Sequence, residues 1–281
     1  MTEKETGALR PEEYKEPACP FDSDFFKPEA PVERVPVGRI LCKLDEYLEH
    51  DDQAAAGRHL SYWLAEAKSG NDLQGELAIR NERMGYFRKN GLREEALEEA
   101  EKARELLSRL RLLDAVTGGT TLLNIGTVYN HFGMPEKAVP AYEEARRIYE
   151  EKLSPDDARM GGLYNNTALA YAALGRYREA GELYRRALSV MEKAENGELE
   201  RAVTLLNLAN AREAERGLEE AEEEIAGLLE RAETLLRTPS LPRNGYYAFT
   251  LSKCAPTFAY YGWFAAAKEF EEESKRIYER T

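Results

Sequence analysis

The sequence predicts an all-α chain, about twelve helices arranged as six antiparallel pairs in a solenoid. Three observations predict it. From Val37 onward, helix formers dominate and no β-branched run alternates with period two. Short breaks rich in Gly, Asn, Asp or Pro recur roughly every 20 residues. The segments between the breaks repeat at offsets of 41 and 42 residues, the mark of a stacked-repeat architecture.

The first element is a tail. Six of the 12 prolines fall within residues 1–36, which show no helical period. That stretch reads as an extended or disordered segment, with Phe21, Phe25 and Phe26 as candidate anchors onto the body. Residues 37–281 form the repeat domain, in pairs spanning about 37–70, 71–113, 114–154, 155–196, 197–240 and 241–281. One series of breaks (Asn90-Gly91, Gly133, Gly175, Gly217, Gly262) closes the first helix of a pair with a glycine able to take positive φ. The interleaved series (Gly70-Asn71-Asp72, Gly118-Gly119, Ser154-Pro155, Asn196-Gly197, Thr238-Pro239) separates successive pairs. In the last pair, Pro256 is expected to kink the first helix or delay its start. The inserted Thr238-Pro239-Ser240-Leu241-Pro242 is expected to rotate that pair out of the regular stack. The charged final helix suits a terminal cap.

The repeat is explicit in the third and fourth pairs. Leu122, Gly126, Tyr129, Gly133, Ala138, Tyr142 and Ala145 match Tyr164, Ala168, Tyr171, Gly175, Ala180, Tyr184 and Ala187. Small residues at Gly126/Ala168 and Ala138/Ala180 let paired helices approach, and the tyrosines fill space between neighbours. Arg212 stands where Tyr129 and Tyr171 stand, so the fifth pair is expected to pack differently there. This pattern resembles the tetratricopeptide repeat family, over about residues 37–281. The 41–42-residue period is similar to the long variant of kinesin light chains and many bacterial sensor proteins. The resemblance implies a right-handed superhelix whose first helices line a concave groove, serving as a non-catalytic scaffold.

Composition narrows function. The 39 Lys+Arg against 52 Asp+Glu give a formal charge of −13, which argues against nucleic acid and anionic membranes as partners. The charge is uneven. The tail has five basic and nine acidic residues, the first helices of the pairs 12 and 13, and the second helices 22 and 30. The expected groove is therefore close to neutral. No apolar run approaches the ~20 residues of a bilayer span. The polar, acidic start and three scattered cysteines (Cys19, Cys42, Cys254) fit a cytoplasmic protein. No catalytic motif is present, the three histidines (His50, His59, His131) share no ligand spacing with the cysteines, and no metal or cofactor is expected. Glu219 to Glu224 reads as a solvated helix face.

Asparagine recurs on the first helices at Asn124, Asn166 and Asn207, with Asn81, Asn130, Asn165 and Asn210 nearby. Asn is poor in helix interiors, because its amide competes for local backbone bonds. Its amide also offers a donor and an acceptor to an extended peptide backbone. The resemblance implies the same, since related long repeats grip peptides through groove asparagines. The other reading is that each Asn ties its hairpin to the next. Arg80, Arg83, Arg88 and Lys89 add local basicity, either to receive a carboxylate or to pair with Glu76, Glu82 and the Glu-rich second helix. The groove site is thus expected at Asn81, Arg88, Asn124, Asn130, His131, Asn165, Asn166, Asn207 and Asn210, with Tyr129 and Lys89 helping to select side chains. Aromatic density at Tyr246, Tyr247, Phe249, Phe258, Tyr260, Tyr261, Trp263 and Phe264 supplies core, or a patch for association. The partner is expected to be a protein or an extended peptide segment, and the chain a monomer or weak dimer. The alternative is a bacterial signalling-peptide sensor acting in trans on another protein.

Overall fold

A computed structural model describes residues 32–194 and 197–279. The tail expectation, with its three phenylalanines, lies almost wholly outside the described residues. Residues 33–281 make one compact unit. Its described part is all helical: α1 (Val37–Glu49), α2 (Gln53–Ser69), α3 (Leu73–Lys89), α4 (Arg93–Arg109), α5 (Val116–His131), α6 (Pro135–Lys152), α7 (Ala158–Ala173), α8 (Tyr177–Met191), α9 (Glu198–Arg216), α10 (Leu218–Leu236), α11 (Gly245–Tyr260) and α12 (Phe264–Tyr278). Each odd helix packs on the even helix after it, and successive pairs stack. The fold is the all-α solenoid of six antiparallel pairs that the sequence predicts.

Turn chemistry sets the pairs. Gly91, Gly133, Gly175, Gly217 and Gly262 all take positive φ between the helices of a pair, spaced 42 residues apart in three steps and 45 in the last. A left-handed residue there ends one helix and turns the chain back. In the first pair Asp51 takes that conformation instead, and Asn71 and Arg111 do so between pairs. Asp52, Asp72, Asp157 and Asn244 cap α2, α3, α7 and α11 by accepting a backbone N–H of the first turn.

Gly118 and Gly119 correct the sequence reading. They form no break between pairs but lie in the first turns of α5, and the chain turns earlier, at residues 110–115. Both have helical backbone, so positive φ is not their purpose. A Cβ on Gly118 would sit 1.9 Å from the Leu112 carbonyl oxygen, and one on Gly119 2.7 Å from the Tyr149 ring. These glycines let α5 pass close to the incoming loop and to α6. Pro256 does not delay the helix: α11 begins at Gly245, well before it, and runs through it on an exposed face. The last pair shares one core with the fifth, through Tyr247, Phe258 and Phe270 against Leu205, Leu206 and Leu229, but α11 packs far less on α10 than each earlier odd helix does on the even helix before it.

The core runs along the array between paired helices. Its repeating unit pairs a small residue with a tyrosine. The buried Tyr142 ring lies against Gly126, where a Cβ would approach to 2.5 Å. Tyr129 donates its hydroxyl to Glu101 at 2.7 Å, and Tyr171, one repeat on, donates to Glu143 at 3.1 Å. The next step breaks the series on both sides, because Arg212 replaces the tyrosine and Arg185 the acid. Arg212 turns instead to Glu215 and Glu224, with its guanidinium over Gly181.

One feature is not a property of any single repeat. Helix α1 touches α11, so the first pair meets the last. A Cβ on Gly245 would lie 3.4 Å from the Glu49 Cα. Between the two ends is a cleft of about 760 Å³, bounded by Asp45, Glu49, Arg88, Lys89, Tyr246 and Phe249.

Candidate functional site

The odd helices α3, α5, α7, α9 and α11 touch one another in succession, and they carry the predicted asparagines. Two clasps join them. Asn81 on α3 donates to Thr121 Oγ1 at 3.0 Å and accepts from Asn124 on α5 at 2.9 Å. Asn165 on α7 accepts from Thr204 and from Asn207 on α9, both at 3.2 Å. The middle junction is looser, with Asn166 Nδ2 reaching Thr127 Oγ1 at 3.5 Å. Leu123 explains the difference, since it occupies the register of Asn81 and Asn165 and offers no amide.

Each clasp uses part of an amide's capacity. Asn124 and Asn207 give one N–H each, and among the described residues their carbonyl oxygens accept nothing. All of these side chains are half-buried. Asn130 stands apart from the ladder: among the described residues its buried Oδ1 has no hydrogen-bond partner. Asn210 is exposed and accepts from Tyr261 at 3.1 Å. Tyr129, expected to help select side chains, is instead buried in the core with its hydroxyl held by Glu101.

The basic residues divide in two. Arg80 is buried and pairs with Glu76 and Glu99, and Arg83 joins Glu99 at 2.8 Å. That quartet ties α3 to α4 and is structural. Arg88 is half-buried and, among the described residues, has no ion pair; burial pushes its guanidinium below the usual arginine range. His131, at the end of α5, is held below the usual histidine range first by burial and then by Arg88 and Lys253. Lys253 is the residue that sequence reading missed. It comes from α11, at the far end of the chain, and no periodic signal marks it. The threonines of the clasps were missed too, although Thr121 and Thr204 stand in matching register.

No group of three or more His, Cys, Asp or Glu among the described residues is placed to hold a metal ion, and no described helix is long and apolar enough to cross a membrane. Burial pushes the Cys254 thiol up to about 12, so it is not poised as a nucleophile.

Family models described as tetratricopeptide repeat match residues 79–151 and 162–198. Over these residues the chain carries tetratricopeptide repeats. No curated protein matches it in sequence. Among solved structures, it is similar to the nearly identical TPR-like repeats of a Podosopora anserina protein described as a kinesin light chain. The identity is 20%, the TM-score 0.51, and the match covers 72% of this chain and 94% of that one. A single-residue variant of the same repeats gives a TM-score of 0.52 at 20% identity, covering 72% and 93%. BtubC (BKLC) from P. vanneervenii matches at 19% identity with a TM-score of 0.43, over 87% and 91%. The chain thus has a tetratricopeptide-repeat scaffold fold, consistent with protein–protein interaction.

Proposed function

We propose that this tetratricopeptide protein is a non-catalytic scaffold that holds an extended peptide segment of a partner along its odd helices. One observation carries the reading: half-buried amides recur from repeat to repeat with part of their hydrogen-bonding capacity unused. An extended backbone presents a C=O and an N–H in alternation, and Asn amides answer both. The clasps orient the amides, so little side-chain freedom is lost on binding. Asn130 supports the same reading, since a buried amide oxygen without a partner is costly unless something supplies a donor.

The test uses a displayed library of random dodecapeptides panned on the immobilised protein. An enriched peptide is then titrated by calorimetry against wild type and Asn130→Ala/Asn210→Ala. These two asparagines lie outside the clasps, so the variant should melt as cooperatively as wild type and bind at least about tenfold more weakly. Absence of any enriched sequence, or unchanged affinity in the double variant, would overturn the reading.

A further inference from the structure

The seam between the first and last pairs carries charges of both signs on separate helices. Asp45 and Glu49 of α1 and Arg88 and Lys89 of α3 border one cleft, which Tyr246 and Phe249 of α11 also line. Its volume of about 760 Å³ lies in the range of clefts that hold small molecules.

These charges do not satisfy one another. Among the described residues, the side chains of Asp45, Glu49, Arg88 and Lys89 form no ion pair and no hydrogen bond. Asp51, the third acid on the cleft, accepts from Gln53 at 2.9 Å. Elsewhere the chain pairs charges readily from repeat to repeat: Arg104 of α4 meets Glu144 of α6 at 2.6 Å, and Arg237 of α10 meets Glu269 of α12 at 2.8 Å. At the cleft the opposite charges stand too far apart to do so, and the Lys89 ammonium lies over the Phe249 ring instead, 5.1 Å from its centroid. Repeat register adds a second observation. One 42-residue step on, Arg88 and Lys89 become Asn130 and His131, and a second step on they become Ala172 and Ala173. The two cations are therefore no part of the repeat, and they stand in the helix whose end borders the cleft. A favourable helix end does not account for them, since α7 ends with no basic residue in its last turn.

We propose that the cleft binds a small dipolar ligand, a free amino acid or a peptide of two or three residues, with its ammonium toward Asp45 and Glu49, its carboxylate toward Arg88 and an apolar side chain against Tyr246 and Phe249. An ammonium has three donors for the two acids, and a guanidinium forks onto both oxygens of a carboxylate. An ion of one sign would leave half of these groups unanswered. Because α1, α3 and α11 all contribute, the bound ligand ties the first pair to the last. The proposal is independent of the amide ladder: it uses neither the clasp residues nor Asn130 and Asn210.

Calorimetry and thermal melts test it with leucine, Gly-Leu and Gly-Leu-Gly, each also in its N-acetyl and C-amide forms. The tightest free ligand, at ten times its dissociation constant, should raise the melting temperature by about 3 °C. Leucine as the tightest identifies an amino-acid site, and either peptide a short-peptide site. Acetylation and amidation should each weaken binding by about tenfold or more, since each removes one charge. In Arg88→Gln the free ligand and its amide should bind alike. In Asp45→Asn/Glu49→Gln the free ligand and its acetyl form should bind alike. None of these residues is buried or ion-paired among the described residues, so both variants should fold. No binding by any of the three free ligands, or a blocking penalty that persists in the matching variant, overturns the proposal.

Discussion

Arg80 and Arg88 lie two turns apart on one helix and have opposite fates. Arg80 is 3% exposed and held by two acids, Glu76 and Glu99, themselves largely buried. Removing it with Arg80→Ala leaves two buried carboxylates short of a partner, so the protein should lose about 3–5 kcal/mol, measured by the urea midpoint. Arg88 has no such partner among the described residues, and its charge is felt by His131 instead. A base whose pKa is depressed in the folded state takes up its proton more readily when unfolded. Its stabilising contribution is therefore present above the ordinary histidine value of 6.5 and is lost as pH falls from there toward the depressed native value. Arg88→Ala should raise the His131 pKa in an NMR titration. His131→Gln should shrink the loss of melting temperature between about pH 7 and pH 5 relative to wild type. An unmoved His131 pKa would show that Arg88 does not reach it.

At the scale of the element, glycine does two jobs that one sequence letter cannot distinguish. Gly118 has a backbone carbonyl where a Cβ would go, whereas Gly162, inside α7, has open space. Gly118→Ala should destabilise by about 1–3 kcal/mol through overpacking. Gly162→Ala should stabilise by about 0.5–1 kcal/mol, because alanine costs less backbone entropy in a helix. Paired thermal melts check both. The same ambiguity limited what the sequence disclosed. The series at 91, 133, 175, 217 and 262 was legible because regular spacing and turn chemistry agree. The Gly118-Gly119 pair looked like a member of the alternate series, and only the approach of Leu112 and Tyr149 shows otherwise. The fold class was legible because helix period, punctuation and repeat offset all point one way. The asparagines were legible as a recurrence. Their direct bonds across repeats were not, since a link from Asn81 to Asn124 depends on how two helices lie side by side.

At the scale of the whole molecule, the seam is the feature that no local pattern announces. Residues 49 and 245 carry no repeat signal, and they meet only because the curvature of the stack brings its ends together. A direct check is Glu49→Cys/Gly245→Cys, which should form an intramolecular disulfide under mild oxidation and raise the melting temperature by closing a very long loop. A double variant that stays reduced, or crosslinks only between molecules, would show that the ends do not meet in solution. The acidity belongs to this scale as well. Most of it lies on the second helices, away from the amide ladder, so the net charge of −13 says more about the outer face than about what the odd helices meet.

A linear array of repeats normally loses structure from its extremities, because each terminal unit has a single neighbour to lean on. Contact between α1 and α11 gives both outermost pairs a second neighbour. Local opening then has no preferred starting point, and the amide hydrogens of α1 and α11 should exchange about as slowly as those of α5 and α7. Fraying, the ordinary weakness of a solenoid, becomes an event that must first separate two surfaces more than 190 residues apart in the chain.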